Sequence, residues 1–129
     1  SRFTVSRVVR LNTAFTRAQC GEDLDQALME INIAADIDPL NSNVMDTLGF
    51  IHLKRGDLDS AEIALRRSLA RRKVPSNLMH LAEVRLEQGK LDDAETLLKS
   101  AGDLEPSKNE QDQISQLIRR IEATKSSKE

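Results

Sequence analysis

The tetrad Leu-Asp-x-Ala occurs three times in this chain of 129 residues, as Leu24-Asp25-Gln26-Ala27, Leu58-Asp59-Ser60-Ala61 and Leu91-Asp92-Asp93-Ala94. The copies begin 34 and 33 residues apart, and each follows a glycine, Gly21, Gly56 or Gly89. In the first copy the glycine stands one position further from Leu, so that turn carries an extra residue. The second and third units also pair Leu48 with Leu81, Leu53 with Leu86, Glu62 with Glu95 and Leu65 with Leu98 at the same offset. Agreement at so many positions marks an internal repeat. A period of this length restricts the chain to folds that stack one supersecondary unit on the next.

Each unit reads as two helices. Ahead of Gly56 and Gly89 the apolar residues fall three and four apart, as Met45, Leu48 and Ile51, then Leu78, Leu81 and Val84. Glycine ends such a helix because it enters the left-handed conformation without steric cost. The tetrad aspartate then falls in the first turn of the next helix, where a carboxylate favours the positive dipole end. Ala27, Ala61 and Ala94 let two helix backbones approach, with Ile31, Leu65 and Leu98 one turn later on the same face. Pro39, Pro75 and Pro106 mark the junctions, since proline cannot continue a helix.

Composition supports an all-α chain and removes several functions. Leu and Ala dominate the apolar set, and Gly and Pro number only 5 and 3. With 19 basic and 21 acidic residues the net charge is −2, too even for a nucleic-acid footprint. Phe3, Phe15 and Phe50 are the only aromatics, which excludes stacking on bases or sugars. No apolar run approaches the roughly 20 residues that span a bilayer, and the N-terminus lacks the apolar core of a secretory signal. The single Cys20 forms no internal disulfide and fits the cytoplasm or the periplasm. From about 109 to 124, Ile114, Leu117, Ile118 and Ile121 form one narrow apolar stripe, the pattern of a helix that caps an array; residues 125–129 are expected to fray.

These features resemble the tetratricopeptide repeat family. Its pattern of a large residue, Leu-Gly/Ala, Gly, Ala, a large apolar residue, a small residue and Pro is met in the second unit by Met45, Leu48-Gly49, Gly56, Ala61 and Leu65, with Ser68 as the departure. The third unit meets it with Leu78, Leu81-Ala82, Gly89, Ala94, Leu98, Ala101 and Pro106. The first matches in Ala27, Ile31, Ala34 and Pro39, while Thr13-Ala14 departs from it. The segments Gly21–Leu28 and Asp46–Phe50 look like those of bacterial envelope and secretion-associated members. The resemblance implies one domain over about 1–124, a right-handed α-solenoid of three units (about 7–41, 42–74 and 75–108) and a capping helix.

The resemblance also implies a concave groove lined by the first helices. Its positions are Asn43, Asp46, Phe50, Leu53 and Lys54 in the second unit and Ser76, Met79, Glu83, Leu86 and Glu87 in the third. In the first they fall near Asn12, Thr16 and Gln19. Phe50 and Met79 would offer apolar anchors rimmed by Asn43, Asp46 and Glu83, suited to an apolar-basic peptide or a partner helix. The competing role for Phe50 is packing within the array. The expected function is therefore a scaffold that binds a protein or peptide, with no nucleic acid, membrane insertion, metal or cofactor. The alternative is a structural end of a longer array, or self-association through an apolar edge at Phe3, Val5, Val8 and Val9, in an envelope or secretion assembly.

Other candidates weaken on inspection. Arg66, Arg67, Arg71, Arg72 and Lys73 place five cations at a helix end, where they complement the dipole. His52 is expected to be a partly buried, hydrogen-bonded structural residue, and His80 to lie near the groove. Neither has ligand-like spacing, and Cys20 has no base near it in sequence. Gly89-Lys90 lacks the upstream glycine of a phosphate loop, and no catalytic motif is found. Members that grip chaperone C-terminal carboxylates place Lys, Asn and Arg where this chain has Asn12, Thr16, Thr47, Ser76 and His80. Without a permanent cation there, an acidic chaperone-tail peptide should show no micromolar binding by calorimetry.

Overall fold

The computed structural model describes residues 23–127, which contain six helices and no strand. They are α1 (Leu24–Ile37), α2 (Ser42–Arg55), α3 (Leu58–Arg71), α4 (Pro75–Glu87), α5 (Leu91–Gly102) and α6 (Lys108–Ser127). The helices α2, α4 and α6 begin at 42, 75 and 108, so the 33-residue period holds in the backbone as well as in the sequence. The chain divides into two compact units, Ser1–Arg72 and Lys73–Glu129. The expectations for Cys20, for Asn12, Thr16 and Gln19, and for the edge at Phe3, Val5, Val8 and Val9 lie outside the described residues.

Local signals set the helix ends. The Asn41 side chain accepts from the backbone N–H of Asn43 and Val44 at 2.9 and 3.1 Å, which starts α2. Asp23 and Asp57 cap α1 and α3 in the same way through Gln26 and Ser60. Gly56 and Gly89 close α2 and α4 with φ of 84° and 79°. In each, two backbone bonds turn back on the helix: Gly56 N–H to Leu53 and Asp57 N–H to His52, then Gly89 N–H to Leu86 and Lys90 N–H to Arg85. Pro75 occupies the first position of α4. A reciprocal pair opens α6, with Ser107 and Glu110 each accepting from the other's backbone N–H at 3.2 and 2.9 Å. That helix runs three residues beyond the expected start of the frayed tail.

In the first unit α2 packs between α1 and α3. Ala27, Ile31, Ala34, Val44, Met45, Phe50 and Ile51 form its buried core, with Leu24, Leu28, Ala35 and Leu48 against it. The repeat alanines Ala27, Ala61 and Ala94 are all fully buried. Ser68, the departure from the family pattern, is also fully buried, and its hydroxyl donates to the Ser42 carbonyl at 2.7 Å. The Ser42 hydroxyl in turn lies 3.1 Å from the Ser68 carbonyl, so a polar residue takes the place of alanine without losing its hydrogen bonds. In the second unit α5 packs on α4, and α6 packs on both. Ile114 and Ile121 are its buried residues, and Lys125 reaches Asp92 and Glu95 at 3.0 and 2.7 Å.

Gly49 marks the tightest approach between α2 and α3. A Cβ there would stand 2.5 Å from Leu65 Cγ and 3.2 Å from the Ala61 carbonyl oxygen. Leu65 is itself fully buried and has no room to withdraw. Gly49→Ala should therefore lower stability by about 1–3 kcal/mol, outweighing the roughly 1 kcal/mol that alanine gains in helix propensity. Urea unfolding of the two proteins measures the difference.

Candidate functional site

The expected ligand-facing residues fall into two rows, one on each of two helices. Along α2, Asp46, Phe50 and Lys54 recur every fourth residue, flanked by Asn43 and Leu53. Along α4, Met79, Glu83 and Glu87 repeat the spacing, with Ser76 and Leu86 beside them. The 33-residue period thus brings the same positions to the same face of each first helix. Along each row, burial gives way to exposure.

On α2, Asn43 and Lys54 are exposed, while Asp46, Phe50 and Leu53 are buried. Phe50 retains only 6% of its surface and belongs to the first unit's core beside Ile31, Met45 and Ile51. The expectation of an apolar anchor standing at the surface is thereby corrected: this ring packs inward. Its polar contact is Lys54, whose ammonium lies 5.2 Å from the ring centroid. On α4, Met79 is likewise buried, Ser76, Glu83 and Leu86 are half-buried, and Glu87 is exposed. His80 is buried.

The cause lies in how α2 and α4 are used. Both bury side chains around most of their circumference, including Asp46, Thr47, Asn77 and His80, whereas α3 and α5 bury one face each. Asn77 meets its burial by accepting from the Val74 backbone N–H at 3.1 Å. What remains accessible is polar on α2 and, apart from half-buried Leu86, polar on α4 as well. Glu83 and Glu87 both accept from Arg120 of α6, at 3.3 and 2.9 Å. Arg120 was not among the residues read from sequence, although it stands 33 positions after Glu87, which itself stands 33 after Lys54.

Elsewhere the described charges have structural uses. Arg55 pairs with Asp25, tying α2 to α1. Lys125 has its pKa raised, first by its bonds to Glu95 and Asp92. Arg66, Arg67, Arg71 and Arg72 are exposed at the end of α3. Among the described residues no group of three or more His, Cys, Asp or Glu is placed to hold a metal, and no helix is long and apolar enough to cross a membrane. An apolar row also stands in solvent on the outer side of α1, where Met29, Ile33 and Ile37 recur every fourth residue and Leu40 follows.

His52 departs from its expected hydrogen bonding. Its Nδ1 is buried without a hydrogen-bond partner, and the nearest carboxylate oxygen, of Asp57, is 3.9 Å away. Burial pushes its pKa below the ordinary 6.5, and Asp57 offsets this in part. The folded state thus resists a proton that the unfolded chain accepts. Stability is fully present above pH 6.5 and falls as the pH drops from there through the lowered folded-state pKa. His52→Gln should remove that part of the slope in denaturation curves taken from pH 7.5 downward.

No protein-family model and no curated protein matches the sequence significantly. Solved structures do. The Yersinia enterocolitica type III secretion chaperone SycD, in complex with a peptide of the translocator YopD, is 27% identical with a TM-score of 0.73, covering 93% of this chain and 92% of that one. PcrH, in complex with the chaperone-binding region of PopD, is 21% identical with a TM-score of 0.76, covering 100% and 96%. The first TPR domain of human RPAP3 is 15% identical with a TM-score of 0.74, covering 94% and 96%.

Proposed function

From the tetratricopeptide-type helical-repeat fold that this chain shares with those structures, we propose that it is a protein-interaction module holding a peptide or helix of a partner protein. Each unit offers its own accessible candidates: Asn43 and Lys54 on α2 in the first, and Ser76, Glu83, Leu86 and Glu87 on α4 in the second. Asp46, Phe50, Leu53 and Met79 form the buried support beneath them. The observation that carries this reading is the repetition itself: first helices buried on nearly every side still keep polar side chains accessible at one repeated set of positions. SycD, of similar length, was solved with a peptide of the translocator YopD, which supports a peptide segment as the ligand class here. The module acts without catalysis, in the cytoplasm or periplasm.

A second reading is favoured by the exposed row Met29, Ile33 and Ile37 on α1, with exposed Leu40 just beyond the helix. Such a row suits pairing with a second copy or with a further repeat, and SycD has been crystallised as an alternative dimer. Light scattering tests it: a dimer that becomes monomeric on Ile33→Asp with Ile37→Asp supports self-association through α1.

The partner site is tested by selecting binders from a random peptide display library on the intact protein. Asn43→Ala and Lys54→Ala should each weaken a selected peptide about three- to ten-fold without shifting the melting temperature. Phe50→Ala should instead destabilise the fold by about 3–5 kcal/mol. A library that yields no binder, or binders indifferent to both polar substitutions, overturns the reading.

A further inference from the structure

Arg120 is held by two carboxylates on α4, and α6 has other attachments besides it. Its guanidinium forks between Glu83 and Glu87, one nitrogen to each, at 3.3 and 2.9 Å. Those glutamates are four residues apart on one helix, where two like charges repel unless a cation lies between them. Glu83 is only 18% exposed, so its charge is partly withdrawn from water and needs a counter-charge. Arg120 itself is 49% exposed, so its guanidinium stands largely at the surface. The helix that carries it stays docked by other means: buried Ile114 and Ile121, and Lys125 between Asp92 and Glu95.

The repeat register gives this cation its meaning. Because α6 begins 33 residues after α4, it stands in the register of a further first helix, and Arg120 occupies the position held by Glu87 in α4 and Lys54 in α2. Those are ligand-facing positions in the reading proposed above, on which this inference rests. We propose that Arg120 is an internal substitute for a cationic side chain of the partner: a Lys or Arg of the bound peptide displaces it from between Glu83 and Glu87. One cation replaces another, so the carboxylate pair keeps a counter-charge throughout the exchange. A peptide with no cation leaves Arg120 where it is. The module therefore discriminates for basic segments, and Arg120 sets the threshold that such a segment must exceed.

The experiment uses peptides selected on the intact chain from the random library. Each is compared with a derivative in which every Lys and Arg is replaced by Gln, by calorimetry at low ionic strength. Arg120→Gln should tighten the cationic peptide about two- to five-fold, the scale of one exposed ion pair, and leave the neutral derivative unchanged. The advantage of the cationic peptide over its derivative should vanish in Glu83→Gln with Glu87→Gln. Unchanged far-UV helicity and a melting temperature lowered by no more than the loss of one exposed ion pair implies establish that α6 remains docked in Arg120→Gln. Selected peptides without a basic residue, or an Arg120→Gln protein that binds the cationic peptide equally or more weakly, overturn the displacement while leaving the partner site intact. A library that yields no binder overturns both.

Discussion

The contact on which the rest of the first unit depends is the near touch of two helix backbones at Gly49. A side chain of even one carbon there would enter the space of Leu65. Holding α2 this close to α3 determines which faces meet, and so buries Ala61 and Leu65 completely. The same closeness brings the start of α2 beside the end of α3, where Ser42 and Ser68 exchange hydrogen bonds. One period later Ala82, Ala94 and Leu98 take the corresponding positions, and all three are buried. Small residues therefore do more here than avoid clashes. They bring larger neighbours into contact, where dispersion and burial stabilise the pair.

The parts of this arrangement governed by backbone geometry were readable before any coordinates. Gly56 and Gly89 announced left-handed helix ends because few other residues enter that conformation without strain, and both are found in it. The tetrad aspartates announced helix starts for electrostatic reasons, and Asp25, Asp59 and Asp92 lie in first turns. Periodicity identified which side of α2 and α4 the rows occupy. It carried no information about depth, which is why Phe50 and Met79 read as surface anchors and are buried. A helical pattern assigns direction around an axis, whereas burial depends on neighbours distant in sequence. His52 illustrates the same gap, since its missing hydrogen bond is a matter of an approach of 3.9 Å, beyond bonding range. Arg120 was legible in principle. Its register was hidden because the apolar stripe of α6 reads as a terminal cap, which draws attention away from the polar face.

The division of labour between helices explains how such a chain can present chemistry without a pocket of reactive groups. α2 and α4 are fixed by burial on several sides, so the few polar groups left accessible on them are positioned by the core beneath. Preorganisation of that kind reduces the ordering cost of binding. It also separates two kinds of change. A substitution at Asn43, Lys54 or Glu87 alters what is presented, while one at Phe50 or Ile51 alters whether anything is presented at all.

The sparse attachment of α6 gives the second unit an uneven energy landscape. A helix of 20 residues rests on two buried isoleucines and a few ion pairs, whereas the shorter α4 buries seven side chains. Opening α6 alone exposes far less apolar surface than unfolding its neighbours, so its backbone amides exchange with solvent through a shallower fluctuation. Within the second unit proteases would meet this helix first, and a partner could remodel it without disturbing the core of α4 and α5. Helix α6 is thus the more adaptable part of the second unit, and increasing ionic strength loosens it further by screening the charges that help fasten it.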